Sequence, residues 1–108
     1  MSRLALSLLT VFSTTAVFAA GEPEFSLFLH KHQFTPDRIE VPAGKKVKLL
    51  VENRDATPAE FESETLKIEK VIAGNGKAVV FIGPLKPGEY KFVDEYNEKT
   101  AKGVIVAR

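Results

Sequence analysis

The sequence predicts an all-β fold, an antiparallel β-sandwich, and three observations carry that expectation. Two-residue alternation dominates short runs, as where Val47, Leu49 and Val51 alternate with Lys48, Leu50 and Glu52. Gly and Pro punctuate those runs at Pro42-Ala43-Gly44, Gly74-Asn75-Gly76 and Pro87-Gly88. No segment shows a convincing helical amphipathic period.

Residues 1–19 read as a secretory signal peptide. Arg3 is followed by an apolar run diluted only by Ser and Thr, then by the small residues Ala16, Ala19 and Ala20. The run is too short and too polar for a spanning helix, which needs about 20 predominantly apolar residues. Cleavage near Ala19 leaves a single domain, residues 20–108, exported to a periplasm and not membrane-spanning.

The elements follow in order. In EFSLFLHKHQF one strand would place Phe28, His30, His32 and Phe34 on one face and Leu27 and Leu29 on the other. Pro36 stops it. Arg38–Val41 is a short strand, and a Pro-Ala-Gly turn leads into Val47–Glu52. Asn53–Pro58 is a turn-rich loop. In the short strand Ala59–Ser63, Glu60 and Glu62 face opposite to Phe61. Residues 64–72, ETLKIEKVI, suit either a helical turn or a strand and are read as extended. A turn at Ala73–Lys77 leads to the strand AVVFIG, and a tight connection leads to a strand on which Tyr90 and Phe92 point the same way. Tyr90, just after Pro87-Gly88-Glu89, suits either the tyrosine corner of Greek-key sandwiches or a plain core tyrosine. Gly103–Ala107 closes the fold. The expected core is Phe28, Phe34, Val47, Leu49, Val51, Phe61, Phe81, Tyr90, Phe92, Val104 and Val106.

Composition excludes several functions. Without residues 1–19 the chain carries 14 basic and 14 acidic residues, because Arg3 leaves and no acid does. That balance argues against a nucleic-acid binder, which needs a basic stripe or face. There is no cysteine, so disulfides, thiolate nucleophiles and thiolate-ligated metals are all absent. Ser26 and Ser63 have no glycine-rich elbow and no identifiable triad. About 89 residues around one filled core leave little room for a catalytic cleft.

FTPDRIEVPAGKKVKLLVEN, DATPAEF, GPLKPGEYKF and AKGVIVA, in this order, resemble the cupredoxin fold. More narrowly they resemble the cupredoxin-like domains of periplasmic iron-uptake proteins, and the resemblance covers nearly all of residues 25–107. It implies a Greek-key sandwich and a metal end. The type 1 copper ligands of blue-copper relatives, a His, a Cys, a His and usually a Met, fall here on Ala59, Asp94, Asn97 and Ala101. Without a thiolate, blue-copper electron transfer is rejected.

The candidate metal ligands are His32, which the resemblance places bordering the metal end, Glu60, beside the vacant first-ligand place, and Asp94, in the cysteine place. Glu62, Glu69 and Glu95 stand near them. One imidazole with carboxylates suits iron, copper(II), manganese or zinc better than copper(I), and the ion expected is an iron or copper ion. The plainer alternatives are a hydrogen-bonded strand histidine and a solvated, salt-bridged acidic face. For His30 the plain reading is preferred, although His30 and His32 could chelate as a pair. Two functions remain. One is a metal-binding accessory to an inner-membrane iron permease, with a role in iron transport or in supporting iron oxidation. The other is a metal-free protein-binding module with a vestigial site.

Overall fold

The computed structural model describes residues 21–108; the segment read as a signal peptide lies outside the described residues. Among the described residues, nine strands form two sheets: β1 Glu24–His30, β2 Gln33–Thr35, β3 Arg38–Val41, β4 Val47–Asn53, β5 Ala59–Ser63, β6 Ile68–Ile72, β7 Lys77–Ile82, β8 Gly88–Asp94 and β9 Lys102–Ala107. One sheet has the order β2-β1-β4-β7 and the other β3-β9-β8-β5-β6. The expected sandwich is present. Within it β1 runs parallel to β4, and β3 parallel to β9; the other pairings are antiparallel. The parallel pairs arise because the chain changes sheet between β2 and β3 and returns at β4. Alternation specifies which face a residue takes, not which strand lies beside it.

The two sheets close on an apolar layer. β4 shows the alternation most clearly: Val47, Leu49, Val51 and Asn53 are buried and the residues between them half-buried. Three aromatic rings bridge the layer, Phe34 from β2 meeting Phe61 and Phe92 from the opposite sheet. Phe61 and Phe92 stack at 5.1 Å, and Phe34 meets Phe92 edge-on at 5.1 Å and Phe61 at 6.1 Å. Each such pair contributes about 0.5–1.5 kcal/mol beyond its buried area. Gly103 lies opposite Phe92 in the β8–β9 ladder. A Cβ there would overlap the Phe92 ring and the Asp37 carbonyl oxygen, so only glycine lets the ring lie flat on β9.

Four expected core residues sit differently. Phe81 is 51% exposed on the outer face of β7, with the Lys46 ammonium 4.6 Å from its ring centre; Val80 and Ile82 take the inner face instead. Phe28 is half-buried on the outer face of β1, covered by the Arg54 guanidinium at 3.7 Å, while Leu27 and Leu29 point inward. Both phenylalanines keep a cation on the ring rather than core neighbours. Val104 and Tyr90 are half-buried, and Ile105 and Ala107 supply the core side of β9. The Tyr90 hydroxyl donates to the Lys86 carbonyl at 2.7 Å, the tie of a tyrosine corner.

The single strand expected across EFSLFLHKHQF is a hairpin. β1 ends at His30, β2 begins at Gln33, and these two residues pair. Lys31 and His32 form the two-residue turn, with φ of 50° and 56°. Positive φ at both central positions marks a type I′ turn, for which Asn-Gly rather than Lys-His is the usual signal. The fold therefore turns Phe34 inward beside Leu29 and removes His30 and His32 from a shared strand face.

Candidate metal centre

The end of the sandwich where β5 begins and β8 stops holds the four places that carry type 1 copper ligands in the resembling proteins. They converge, but as a hydrogen-bonded knot. Asp94, the last residue of β8, is fully buried. Its Oδ1 accepts from the backbone N–H of Glu60 at 2.9 Å and of Tyr96 at 3.1 Å, and its Oδ2 accepts from the Asn97 side-chain amide at 3.1 Å. It thereby caps the 3-10 turn Glu95–Asn97 and ties that turn to β5. The Asp94 N–H donates to the Ala101 carbonyl, and the Ala101 N–H donates to the Asn97 carbonyl. Ala59 and Ala101 are buried methyl groups. Two methyl groups, an amide and a carboxylate with three donors do not make a type 1 copper site.

Outside that knot, side chains of the same elements form a carboxylate cluster. Glu60 projects from the outer face of β5, Glu69 from β6, and Glu95 from the 3-10 turn; one carboxylate oxygen of each lies within 4.8 Å of the others. Glu62 adjoins them, because it pairs directly with Glu69 across the β5–β6 ladder. Like charges placed opposite each other in a ladder are unfavourable. Glu60 is raised above its ordinary value, first by sharing a hydrogen bond with Glu95 and then by burial and the charge on Glu95. Glu95 is lowered by that hydrogen bond, but the Glu62 charge, burial and Glu69 outweigh it, so its pKa is raised as well. The Tyr96 phenol is raised by burial and by the neighbouring glutamates. Oxygen donors at this spacing, carrying repulsion that a cation relieves, suit a hard or borderline metal ion.

Of the six residues singled out in the sequence, the structure brings Glu60, Glu69 and Glu95 together and places Glu62 beside them. Asp94 lies beneath the cluster with its oxygens engaged by the knot. His32 sits at the hairpin tip, outside the glutamate group, with its Nδ1 3.6 Å from Asp55 Oδ2; it also borders the concavity lined by Glu95 to Thr100.

Sequence reasoning missed Asp55 and Asn53. Asp55 accepts the backbone N–H of Lys31 at 2.7 Å and of His32 at 3.0 Å, holding the β1–β2 turn from more than twenty residues away. Burial opposes its ionisation, but the two backbone bonds, from His32 and Lys31, and then the two imidazoles outweigh that, and its pKa is lowered. Asn53, buried at the end of β4, donates to the Thr57, Ile72 and Ala73 carbonyls and accepts from the Asp55 N–H. The Asx-rich composition of Asn53-Arg54-Asp55 is a signal for local turns. It says nothing of the distant hairpin that Asp55 serves.

The fold and this closed metal end define a cupredoxin sandwich from which the type 1 ligands are missing. A family model described as a cupredoxin-like domain matches residues 3–107. The chain belongs to that cupredoxin-like family. It is 35% identical over 83 residues to an uncharacterized protein of Rickettsia prowazekii (strain Madrid E), across 77% of this chain, and it spans 66% of the length of that relative. Among solved structures it is similar to auracyanin A, a "blue" copper protein from Chloroflexus aurantiacus, with TM-score 0.69, 13% identity, and coverage of 82% of this chain and 100% of the other. It is also similar to the metal-binding domain of the Cu(I)-exporting P-type ATPase CopA of Streptococcus pneumoniae D39, solved with Cu(I), with TM-score 0.68, 17% identity, and coverage of 79% and 84%. Likeness at such identities concerns the fold.

Proposed function

We propose that this chain is an exported, periplasmic metal-binding protein of the cupredoxin-like family that takes an iron or copper(II) ion at Glu60, Glu69 and Glu95, with Glu62 beside them. Its role is that of an accessory in high-affinity iron uptake, receiving or oxidising metal ahead of an inner-membrane permease. The observation that carries the reading is the convergence of three carboxylates from β5, β6 and the 3-10 turn at the metal end, with Glu60 and Glu95 both titrating high. The copper proteins among its structural neighbours support metal handling, and the cupredoxin-like domains of iron-uptake proteins support the pathway.

A second reading has its own observation. Asp94, Ala59 and Ala101 fill the ligand end with protein atoms, so the sandwich needs no ion to close, as expected of a metal-free docking module. Equilibrium dialysis of the purified protein against copper(II) and against iron separates the two. Tight binding that disappears in the triple variant Glu60→Gln, Glu69→Gln, Glu95→Gln supports the carboxylate site. Equal binding by the variant, or none by the natural protein, favours the docking module.

A further inference from the structure

The two open sheets leave β2, β7, β3 and β6 as edge strands among the described residues, and all but β7 carry a device against further pairing. β2 has three residues and runs into Pro36. β3 has four, with Arg38 and Glu40 exposed along it and Pro42 directly after it. On β6, Lys70 pairs with the buried Phe61, which sets a charge on the inner side of the strand. Shortness, proline and inward-pointing charge are the means by which natural sheets avoid edge-to-edge association. β7 has none of them.

The six residues of β7, Lys77–Ile82, include no proline and one charge, at the first position. The rest are alanine, valine, phenylalanine and isoleucine, a composition with high strand propensity and nothing to repel a second strand. Val79 is 41% exposed on the outer face, with the exposed Phe81 beside it and the half-buried Leu50 opposite it on β4. On its inner neighbour's side β7 is fully laddered to β4. On its other side, no turn or loop hydrogen bond among the described residues reaches its backbone. We infer that β7 is the docking strand of a homodimer, in which a second copy of this chain lays its own β7 antiparallel against this one about a two-fold axis and the two four-stranded sheets become continuous.

Charge selects a second copy over a charged partner. Lys77 stands opposite Glu52 on β4, and Lys48, opposite Phe81, has Glu24 across from it on β1. The surface beside the edge is thus matched within the chain and offers little to an acidic or basic segment. A two-fold pairing, by contrast, sets like surface on like surface. A register with Val79 opposite Val79 of the second copy places Lys77 against the second Phe81 ring, a cation–ring contact of the kind Lys46 already makes. The register two residues along places Val79 against Phe81. In both, the two Lys77 charges lie at least about 13 Å apart at the rise of a β-strand, beyond the screening length of about 8–10 Å. Six residues give about 20 Å of ladder, so the contact falls below the roughly 1,200 Å² of a standard interface. The dimer is therefore weak and dependent on concentration.

The test is sedimentation velocity of the purified protein from roughly 10 μM to 1 mM, with amide hydrogen exchange measured at each concentration. A chelator in the buffer removes association bridged by metal, so the outcome is independent of the glutamate site. The natural protein should show a reversible monomer–dimer equilibrium, and alternate amides of β7 should gain protection as concentration rises while those of β2, β3 and β6 do not. The double variant Val79→Lys, Phe81→Lys sets lysine opposite lysine in either register and should stay monomeric throughout. Should crowding by Lys46 and Lys48 keep it from folding, the variant Val79→Thr, Phe81→Thr keeps strand propensity and should dimerise about tenfold more weakly. A natural protein that is monomeric at every concentration overturns the inference and leaves the edge to a strand of another protein. So does protection of β7 in the monomer that ignores concentration, which would mean that the edge is covered from within its own chain. A dimer that the variants form as tightly as the natural protein, or added protection at another edge, overturns it as well.

Discussion

Asp94 is the residue on which the metal end turns. Its buried carboxylate gathers two backbone N–H groups and an amide from two elements, where a relative would have a thiolate on an ion. Asp94→Ala would leave those donors without acceptors at a buried position, at a cost of about 2–4 kcal/mol. Denaturant unfolding should show this as a lower midpoint with an unchanged slope. Phe81→Ala is the control, because its ring is half-exposed on β7. It should cost less than about 1 kcal/mol despite being the larger deletion. Neither result could be read from the sequence alone. The strand AVVFIG offers apolar residues to both faces, and Asp94-Glu95 looks like ordinary surface loop until β5 is laid against it.

At the scale of elements, the hairpin β1–β2 depends on the loop after β4. Asp55→Ala removes the acceptor of both turn N–H groups and should destabilise the protein by about 1–3 kcal/mol. The pH dependence has a definite sign. The Asp55 pKa is lowered below its ordinary 3.8 in the folded protein, so its stabilisation is fully present above that value and is lost as pH falls through the lower folded one. The stability gap between the natural protein and Asp55→Asn should therefore narrow at pH below 3.8. Strand existence was legible here because alternation survives in each short run: β3, β4 and β5 all lie where the pattern put them. The break between β1 and β2 was not, because Lys31-His32 has no turn signature and is held by a residue distant in sequence. Of the candidate site, Glu60 and Glu62 were legible as a pair sharing one strand face. That Glu69 and Glu95 meet Glu60 follows from the β5–β6 register and the 3-10 turn, which no spacing encodes.

Across the whole molecule, the sandwich closes with every buried side-chain polar atom among the described residues hydrogen-bonded, while the glutamates carry unrelieved repulsion on its outer face. Their effect on stability is opposite in sign to that of Asp55. Because Glu60 and Glu95 have folded pKa values raised above the ordinary 4.5, the folded state holds protons that the unfolded chain releases. This contribution to stability falls as pH rises from about 4.5 through those raised values. In cation-free buffer the melting temperature should therefore decline across that window. Glu60→Gln should flatten the decline, and a bound cation should reverse it by mass action on the folded state. The fold should not need that cation, since protein atoms already close the metal end, and a chelator should leave the cation-free protein folded.

The most direct test of the central claim is anomalous diffraction from crystals of the protein soaked in copper(II) or iron. The claim is that the type 1 position has been closed by the Asp94 knot and that cation binding has moved to carboxylates outside it. An anomalous peak among the carboxylates of Glu60, Glu69 and Glu95, with none between Ala59, Asp94 and Ala101, is the predicted result. A peak at the buried Asp94 position, or none near the three glutamates at saturating metal, would contradict it.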